Sequence, residues 1–538
     1  MRSPRPRGQS ALSLDEVARL LGAPAPEGSR RLGVTGVTLD SRTVLPGDLY
    51  AALPGANVHG ATFVGAAARS GAAAVLTDPA GAALLDAAGS DRDHPEIPVL
   101  VVSDPRAALG AVASAVYGSP AAHLQTFGIT GTNGKTTTAY LLAAGLRGLD
   151  VRAGLIGTVE TRLGDESLPS ARTTPEAPEL HALMAVMRER GAEALVMEVS
   201  SHALAQHRVD GVVYDVAVFT NLSQDHLDYH ATMTDYFRAK AALFTPARAA
   251  RGVVCLGDAW GQRLAAEAAI PVTTVGSDAG ADWRVGDVTA GVFFLTGPAG
   301  QLVVPAHLPG TFNVMNAAAA AVALITVGYA VADVERAMHE PPAVPGRMEV
   351  VAGGPADPRC IVDFAHTPEA VQSALAALRP TTPGRLVVVV GAGGDRDRGK
   401  RALMGAAAAS WADDVVVTDD NPRSEDPASI RHEVTLGAAS VGRHRQVAAG
   451  ADVDPEAPHD PVLTESGRGR AADIAWAVAR ARQCRPASDN TVVVLGKGHE
   501  TGQEIAGVMH PFDDRDAIAS ALAGTPYRPH GDVPGASA

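Results

Sequence analysis

Runs of β-branched and apolar residues, each cut off by a short polar or glycine-rich stretch, recur along the chain and set its expected architecture. Four fall in the last third: "CIVDFAHTPEA", "LVVVVGAGGDRDRGK", "VVVTDDNPR" and "TVVVLGKGHE". Unbroken apolar strands of this kind suit a parallel sheet buried on both faces. Further upstream, "HLQTFGITGTNGKTTTAYLLAAGL" reads as strand, glycine loop and helix, and "ALVME" and "DVAVFT" read as the next strands. A first block, ending near Tyr117, mixes short strands with the Ala-rich helical stretch "GATFVGAAARSGAAAVLTD". Strands alternating with helices in this way predict an α/β protein with helices on both faces of its sheets. The segment 442–470, rich in Pro, Asp, Gly and His, reads as an exposed insertion or loop.

One strand end poses a question. In "VVVTDDNPRSED" the apolar run stops at Asp419, Asp420, Asn421 and Pro422, and Arg423 follows. Taken alone this is a solvated turn. Yet the carboxyl ends of strands are where open α/β sheets bind their ligands.

The totals narrow the class. A length of 538 residues suits roughly three domains. The formal net charge of −14 disfavours nucleic acid or an anionic membrane surface as the main partner. Three scattered cysteines, Cys255, Cys360 and Cys484, form neither a disulfide framework nor a CxxC site, which points to a reducing cytoplasm. The basic start lacks the apolar core of a signal peptide, with Asp15 and Glu16 interrupting it, and the apolar stretch 317–327 is too short to span a bilayer. A cytoplasmic protein without membrane insertion is expected.

"GITGTNGKTTT" carries the clearest chemistry. Its glycines let backbone N–H groups approach an oxyanion, the helix N-terminus adds positive potential, Lys135 adds charge and the Thr136 hydroxyl can ligate Mg²⁺. Gly128 lies one residue too far from Gly134 for the common P-loop spacing, but the strand before and helix after still indicate ATP or GTP. Oxygen ligands for Mg²⁺ should then stand at neighbouring strand ends, where Glu198 and His226 fall. Lys240, in "DYFRAKAALF", reads on its own as a helix-surface lysine.

With these residues in view, the chain resembles the Mur ligases over nearly its whole length, and most closely their tripeptide-forming branch. The matching segments are "LDSRTVLPGDLYAALPG", "GTNGKTTT", "RTTPEA", "MEVSSHALAQHR", "NLSQDHLDYH", "YFRAKAALF", "LPGTFNVMNAAAA", "VPGRMEV", "VDFAHTPEA", "GGDRDRGKR", "DDNPR" and "GKGHE", in that order. The resemblance implies an α/β protein of three domains: a UDP-binding domain (1–121), a P-loop-type ATPase domain with a parallel sheet (122–346) and a Rossmann-like domain that brings the amino acid (347–538). The implied reaction joins meso-2,6-diaminopimelate to the D-Glu of UDP-N-acetylmuramoyl-L-Ala-D-Glu through an acyl phosphate, at the cost of ATP. It implies a monomer serving peptidoglycan synthesis, and hence cell shape and division.

Carried over by position, Gly131, Thr132, Asn133, Gly134, Lys135, Thr136 and Thr137 would bind ATP with Asn316 and Arg347. Leu39 and Ser41 would touch uridine, with Gly55 to Val58 near the sugar. Thr173, Thr174, Ser200, Gln206 and Arg208 would hold the muramoyl-dipeptide. Thr136, Glu198, His226 and Lys240 would be the Mg²⁺ ligands, Lys240 as a carbamate (N6-carboxylysine). Lys135, Lys240, His226 and Asp363 would be the catalytic set, Asp363 acting with His366. Arg396, Asp420, Asn421, Pro422, Arg423, Gly496 and Glu500 would bind diaminopimelate. Several departures stand out: Ala56-Asn57-Val58 is less polar than in some members, Phe364 replaces a frequent tyrosine, and Gly469 in "GRGRAADI" stands where an Asp-Arg pair is more usual. The rivals are a folylpolyglutamate synthase, in which Gly-Lys-Gly-Ser is commoner than the Gly-Lys-Thr-Thr seen here; the lysine-adding muramyl ligase, which lacks the arginine of "DNPR"; and a nucleotide-binding regulatory module without turnover.

Overall fold

The computed structural model describes residues 4–8, 10–88, 97–164, 166–170, 172–226, 229–448, 461–465, 467–484 and 486–529. They form two compact units, the first made of residues up to 305 with 315–342, the second of 306–314 with the chain from 343 onward.

The first unit holds two principal sheets. Four parallel strands, Gly36–Thr38, Asp48–Ala52, Ala74–Thr77 and Val99–Val101, lie side by side in chain order. The larger sheet has eleven strands among the described residues. Its centre is parallel, with Gln125–Thr130 between Ala194–Glu198 and Tyr214–Phe219. Antiparallel strands close both edges, Glu160–Leu163 and Glu166–Pro169 on one side and Val292–Gly297 and Gly300–Pro305 on the other. Phe127, Ile129, Val196, Val216 and Val218 are fully buried, each contributing about 1.5–3 kcal/mol of transfer free energy. This central register brings the carboxyl ends of three strands together, and the residues beyond those ends form the site.

The apolar stretch read at 317–327 belongs to the helix Thr311–Val327, in which Ala317 to Leu324 are all nearly inaccessible. A helix buried all round carries no amphipathic stripe. Among the described residues no helix is long and apolar enough to cross a membrane.

The second unit is built on one seven-stranded sheet, ordered Glu349–Val351, Arg359–Asp363, Thr491–Leu495, Leu386–Val390, Asp414–Val417, Val462–Glu465, Arg445–Val447. All but the first pair in parallel. Alternate side chains of the same strands feed two cores. Val388, Val390, Val415, Val417 and Val493 pack with the helices Pro368–Leu378, Gly399–Trp411 and Pro427–Ser440. Val387, Val389, Val416, Val492 and Val494 pack with Arg470–Gln483 and Asp514–Ala523. Two buried faces explain why the sequence shows unbroken apolar runs and no alternation.

One expectation is corrected here. The segment 442–470 is not simply an exposed insertion: Arg445–Val447 and Val462–Glu465 extend the sheet, and Val462, Leu463 and Thr464 are buried. Breaker-rich flanks hide these short strands. Residues 449–460 and 466 of that segment lie outside the described residues. All three cysteines are buried and unbridged.

Candidate active site

The loop 131–134 joins the strand Gln125–Thr130 to the helix Lys135–Gly148. Gly128 lies inside the strand, where a side chain would press on the Tyr214 ring, so it is not a loop glycine; between Gly131 and Gly134 only two residues intervene, a tighter loop than the common P-loop spacing. The working glycines are Gly131 and Gly134, at φ 148° and 86°. A methyl group on Gly131 would run into Thr220 Oγ1, and one on Gly134 into Asn316 Oδ1, so Asn316 is packed directly on the loop. The next strand's end ties the loop down. Thr132 N and Asn133 N donate to Asn221 O and Oδ1 at 2.9 and 3.0 Å, and Thr220 Oγ1 donates to Asn133 O at 2.6 Å. Lys135 Nζ donates to Gly131 O and Thr132 O at 3.0 and 2.9 Å, and Thr137 is buried in the first helical turn. These contacts hold the loop in one conformation at the N-terminus of a helix, a place that suits an oxyanion.

Beside it stands Glu198, 1 % exposed at its strand's end. Thr136 Oγ1 lies 3.0 Å from both carboxylate oxygens. Thr158, a residue the sequence reading passed over, donates from its N–H to Oε1 at 2.8 Å and from its hydroxyl to Oε2 at 3.1 Å. A buried carboxylate next to a hydroxyl is a hard-oxygen donor set, which fits Mg²⁺. His226, at φ 54°, faces His202 and Tyr236. Burial, reinforced by His202, Lys135 and Lys240 against the pull of Asp225, lowers its pKa to about 4, leaving a neutral imidazole with ligand capacity.

Lys240 is not on the helix surface. It is 1 % exposed, and its Nζ donates to Gly131 O at 2.8 Å and lies 4.6 Å from the centroid of the Tyr236 ring. Tyr236 and Phe237, four and three positions earlier, are buried, so helical spacing turns Lys240 inward. Burial first and the nearby Lys135 second push its pKa well below that of an ordinary lysine. Among the described residues no three His, Cys, Asp or Glu side chains form a metal-holding group, so a metal here would need the hydroxyl of Thr136 or a changed Lys240.

Leu39, Ser41, Gly55 and Val58 all line one cavity of about 1030 Å³ at the four-stranded sheet. Arg106 and Arg172 line it too. Glu176, also missed in the sequence although it sits within "RTTPEA", gathers Arg208 Nε at 3.0 Å, Arg106 at 3.1 Å and Arg172 at 4.0 Å. One carboxylate among three guanidiniums leaves surplus positive charge, suited to an anion. Arg208 also donates to Thr174 O and Gln206 Oε1, while Thr174 Oγ1 accepts from Ser200 N at 3.1 Å and Thr173 meets Thr158 at 3.0 Å. The five residues expected to hold a dipeptide therefore form one hydrogen-bonded patch with their neighbours.

In the second unit, Arg423 occupies a left-handed position, φ 54°, where its N–H donates to Glu504 O at 3.0 Å. Its guanidinium is partly exposed, donating to Gly394 O at 2.6 Å and lying 3.5 Å from Glu504 Oε2. Gly394 packs on Pro422 O so closely that any side chain there would collide. Gly496, at φ 113°, lies against Asp420, and Asn421 Nδ2 donates to Glu500 Oε2 at 2.8 Å. Asp420, Asn421, Pro422, Arg423, Gly496 and Glu500 are thus brought together. Arg396 lies exposed on the loop carrying Gly394. Lys497 is fully buried beneath the cluster and was not singled out in the sequence. Asp363 accepts from Met348 N and Ala365 N at 2.8 and 2.9 Å, and burial raises its pKa against the opposing charge of Arg347. Arg347 lies 4.4 Å over the Phe364 ring, which also contacts His366.

A phosphate cradle, a buried strand-end carboxylate and a separate cluster of charges on a second parallel sheet define an ATP-using ligase of the three-part Mur type. Family models agree: "Mur ligase family, catalytic domain" matches residues 33–117, "Mur ligase middle domain" 129–324 and "Mur ligase, glutamate ligase domain" 346–469. The chain belongs to the Mur ligase family. It is 51 % identical over 530 residues to the UDP-N-acetylmuramoyl-L-alanyl-D-glutamate–2,6-diaminopimelate ligase of Streptomyces coelicolor, covering 97 % of this chain and 98 % of that one. It is 47 % identical to the ligase of the same name from Corynebacterium glutamicum, over 91 % of this chain and 92 % of that one. A solved structure of a diaminopimelate ligase of that name superposes with a TM-score of 0.64 at 30 % identity, covering 96 % and 99 % of the two chains. A MurF structure from Acinetobacter baumannii, 18 % identical with a TM-score of 0.62 and covering 96 % and 99 % of the two chains, shares the fold.

Proposed function

We propose that the chain is an ATP-dependent amide ligase that adds meso-2,6-diaminopimelate to the D-Glu of UDP-N-acetylmuramoyl-L-Ala-D-Glu. The observation that carries this reading is the pairing of full-length similarity to diaminopimelate ligases with an arginine, Arg423, at a strand end among Asn421, Glu500 and Gly496. Meso-diaminopimelate differs from lysine by a distal carboxylate, and an arginine fork suits that group with charge-assisted hydrogen bonds.

The cavity beside Leu39 and Ser41 takes the uridine end, and Arg208 with Thr173, Thr174, Ser200 and Gln206 holds the dipeptide. The loop 131–137 and Asn316 bind the ATP phosphates, and Arg347 is a further ATP contact. The dipeptide γ-carboxylate attacks the γ-phosphate, the bond to the β,γ-bridging oxygen breaks and ADP leaves, giving an acyl phosphate, which turns a poor electrophile into one with a good leaving group. Lys135 and the loop N–H groups stabilise the charge that builds on the transferring phosphoryl group. The amine of diaminopimelate then displaces phosphate. Glu500 orients its amino end, Arg423 and Arg396 its distal carboxylate, and Asp363 with His366 completes the site. Thr136, Glu198, His226 and a carbamylated Lys240 would hold Mg²⁺, which supplies charge neutralisation between the two anions. A buried lysine amine that is readily neutral is the form that reacts with CO₂, which supports the modification of Lys240. Segments 1–121, 122–346 and 347–538 act as the three functional domains of a cytoplasmic monomer that supplies peptidoglycan synthesis, and so cell shape and division.

The reading is tested by ADP release in mixtures lacking one component at a time. ADP should form only with ATP, Mg²⁺, the UDP-dipeptide and diaminopimelate together. Comparable turnover with a folate acceptor would overturn it.

A further inference from the structure

Lys497 has no accessible side-chain surface, and nothing in the reaction described above uses it. A buried ammonium is costly unless its donors are satisfied. Its Nζ donates to Asn421 Oδ1 at 3.2 Å, to Glu500 Oε2 at 3.1 Å and to Gly502 O at 2.5 Å. Asn421 Oδ1 also accepts from Glu504 N at 3.0 Å. With that oxygen committed to two donors, the Asn421 amide has only one sensible orientation, and its Nδ2 donates to Glu500 Oε2. Lys497 and Asn421 therefore converge on one oxygen of Glu500. Two donors on Oε2 hold the carboxylate in place, and the Glu500 side chain is partly exposed.

The surrounding frame does not depend on Lys497. Arg470, fully buried, pairs with both oxygens of Asp514 at 2.7 and 2.8 Å, and donates to Asp419 O and Leu495 O at 3.1 and 2.9 Å. Those two carbonyls stand at the ends of the strands that lead into Asp420–Arg423 and Gly496–Glu500. Arg470 clamps the two strand ends together, and Lys497 sets the side chains above them.

We propose that Lys497 is a positioning residue for the incoming amino acid, aiming Glu500 and Asn421 at the substrate's ammonium end. The proposal rests on the amino-acid site assigned above. Without Lys497, Glu500 Oε2 keeps only the Asn421 amide as a donor and Asn421 Oδ1 keeps only Glu504 N–H, so both side chains are held less tightly and the amino acid is bound more loosely, while the ATP and UDP-dipeptide sites are untouched.

The test compares Lys497→Met, Glu500→Gln and the double variant in steady-state kinetics with diaminopimelate varied. Lys497→Met should raise KM for diaminopimelate by roughly 10–100-fold, the range for losing a charge-assisted contact, with KM for ATP and for the UDP-dipeptide within about twofold of the parent. The double variant should be no worse than Glu500→Gln alone, because Lys497 acts through Glu500. Fully additive effects, or a uniform rise in all three KM values, would overturn the inference. If Lys497→Met does not fold, the double variant, which removes both charges, still decides by its comparison with Glu500→Gln. If Glu500→Gln itself leaves KM for diaminopimelate unchanged, the amino-acid site has been misplaced, a failure distinct from additive behaviour.

Discussion

Thr136 and Glu198, 62 residues apart, meet at 3.0 Å, the hydroxyl of the phosphate-loop helix donating to the carboxylate that ends the neighbouring strand. The contact follows from the register of Gln125–Thr130 against Ala194–Glu198, in which Ile129 stands opposite Glu198. In the function proposed above, it joins the two halves of an NTP site, the cradle for the phosphates and the oxygen for a hard cation.

Glu198→Gln keeps the shape and removes the charge. It should lower kcat by roughly 10²–10³-fold, the scale for losing one preorganised electrostatic group. The thermal midpoint should change little, since Thr136 and Thr158 can still donate to the amide oxygen. Near-parental kcat at saturating Mg²⁺ would remove Glu198 from the site.

Lys240→Ala should be nearly inactive and partly restored by formate or acetate, which can place a carboxylate where a carbamate would stand. Lys240→Arg cannot be carbamylated and should stay inactive with or without the additive. Mass spectrometry under native conditions should find about 44 Da added to the parent chain, the mass of CO₂. An active Lys240→Arg enzyme would make the buried lysine a packing residue.

His181 offers a pH test of the fold. It is fully buried, its Nε2 lies 3.1 Å from Asp210 O, and burial lowers its pKa from 6.5 to about 4. The unfolded chain takes up a proton below about pH 6.5 while the folded chain does not. Stability is therefore unaffected above that pH and falls as pH drops towards about 4, by at most about 1.4 kcal/mol per pH unit from this residue. Urea unfolding at pH 7 and pH 5 should show the loss, and His181→Gln should reduce it. Equal pH dependence in the two proteins would contradict the assignment.

Much of this was legible in the sequence, for physical reasons. Strands such as Leu386–Val390 announce themselves because both faces are buried. The phosphate loop announces itself because its positive-φ glycines and lysine are required by the oxyanion. Lys240 was ambiguous, since a lysine in a helix is ordinarily at the surface, although Phe237 and Tyr236 behind it carried the signal. Glu176 and Thr158 left none, because their roles come from partners distant in sequence: Arg106 is 70 residues from Glu176, and Thr158 is 40 from Glu198. The short strands Arg445–Val447 and Val462–Glu465 were masked by breaker-rich flanks, and their place depends on the sheet they join.

The central claim is selection of diaminopimelate by Arg423, and its most direct test is kcat/KM for meso-diaminopimelate and for L-lysine in the parent and in Arg423→Ala. The parent should prefer diaminopimelate by roughly 10³–10⁵-fold, because a site built for a charged group rejects the analogue that lacks it. Arg423→Ala should lose roughly 10²-fold or more on diaminopimelate, for about 2–5 kcal/mol of truncated charge pairing, with KM for ATP unchanged. Retained preference for diaminopimelate together with a loss of ATP affinity in the variant would contradict the account.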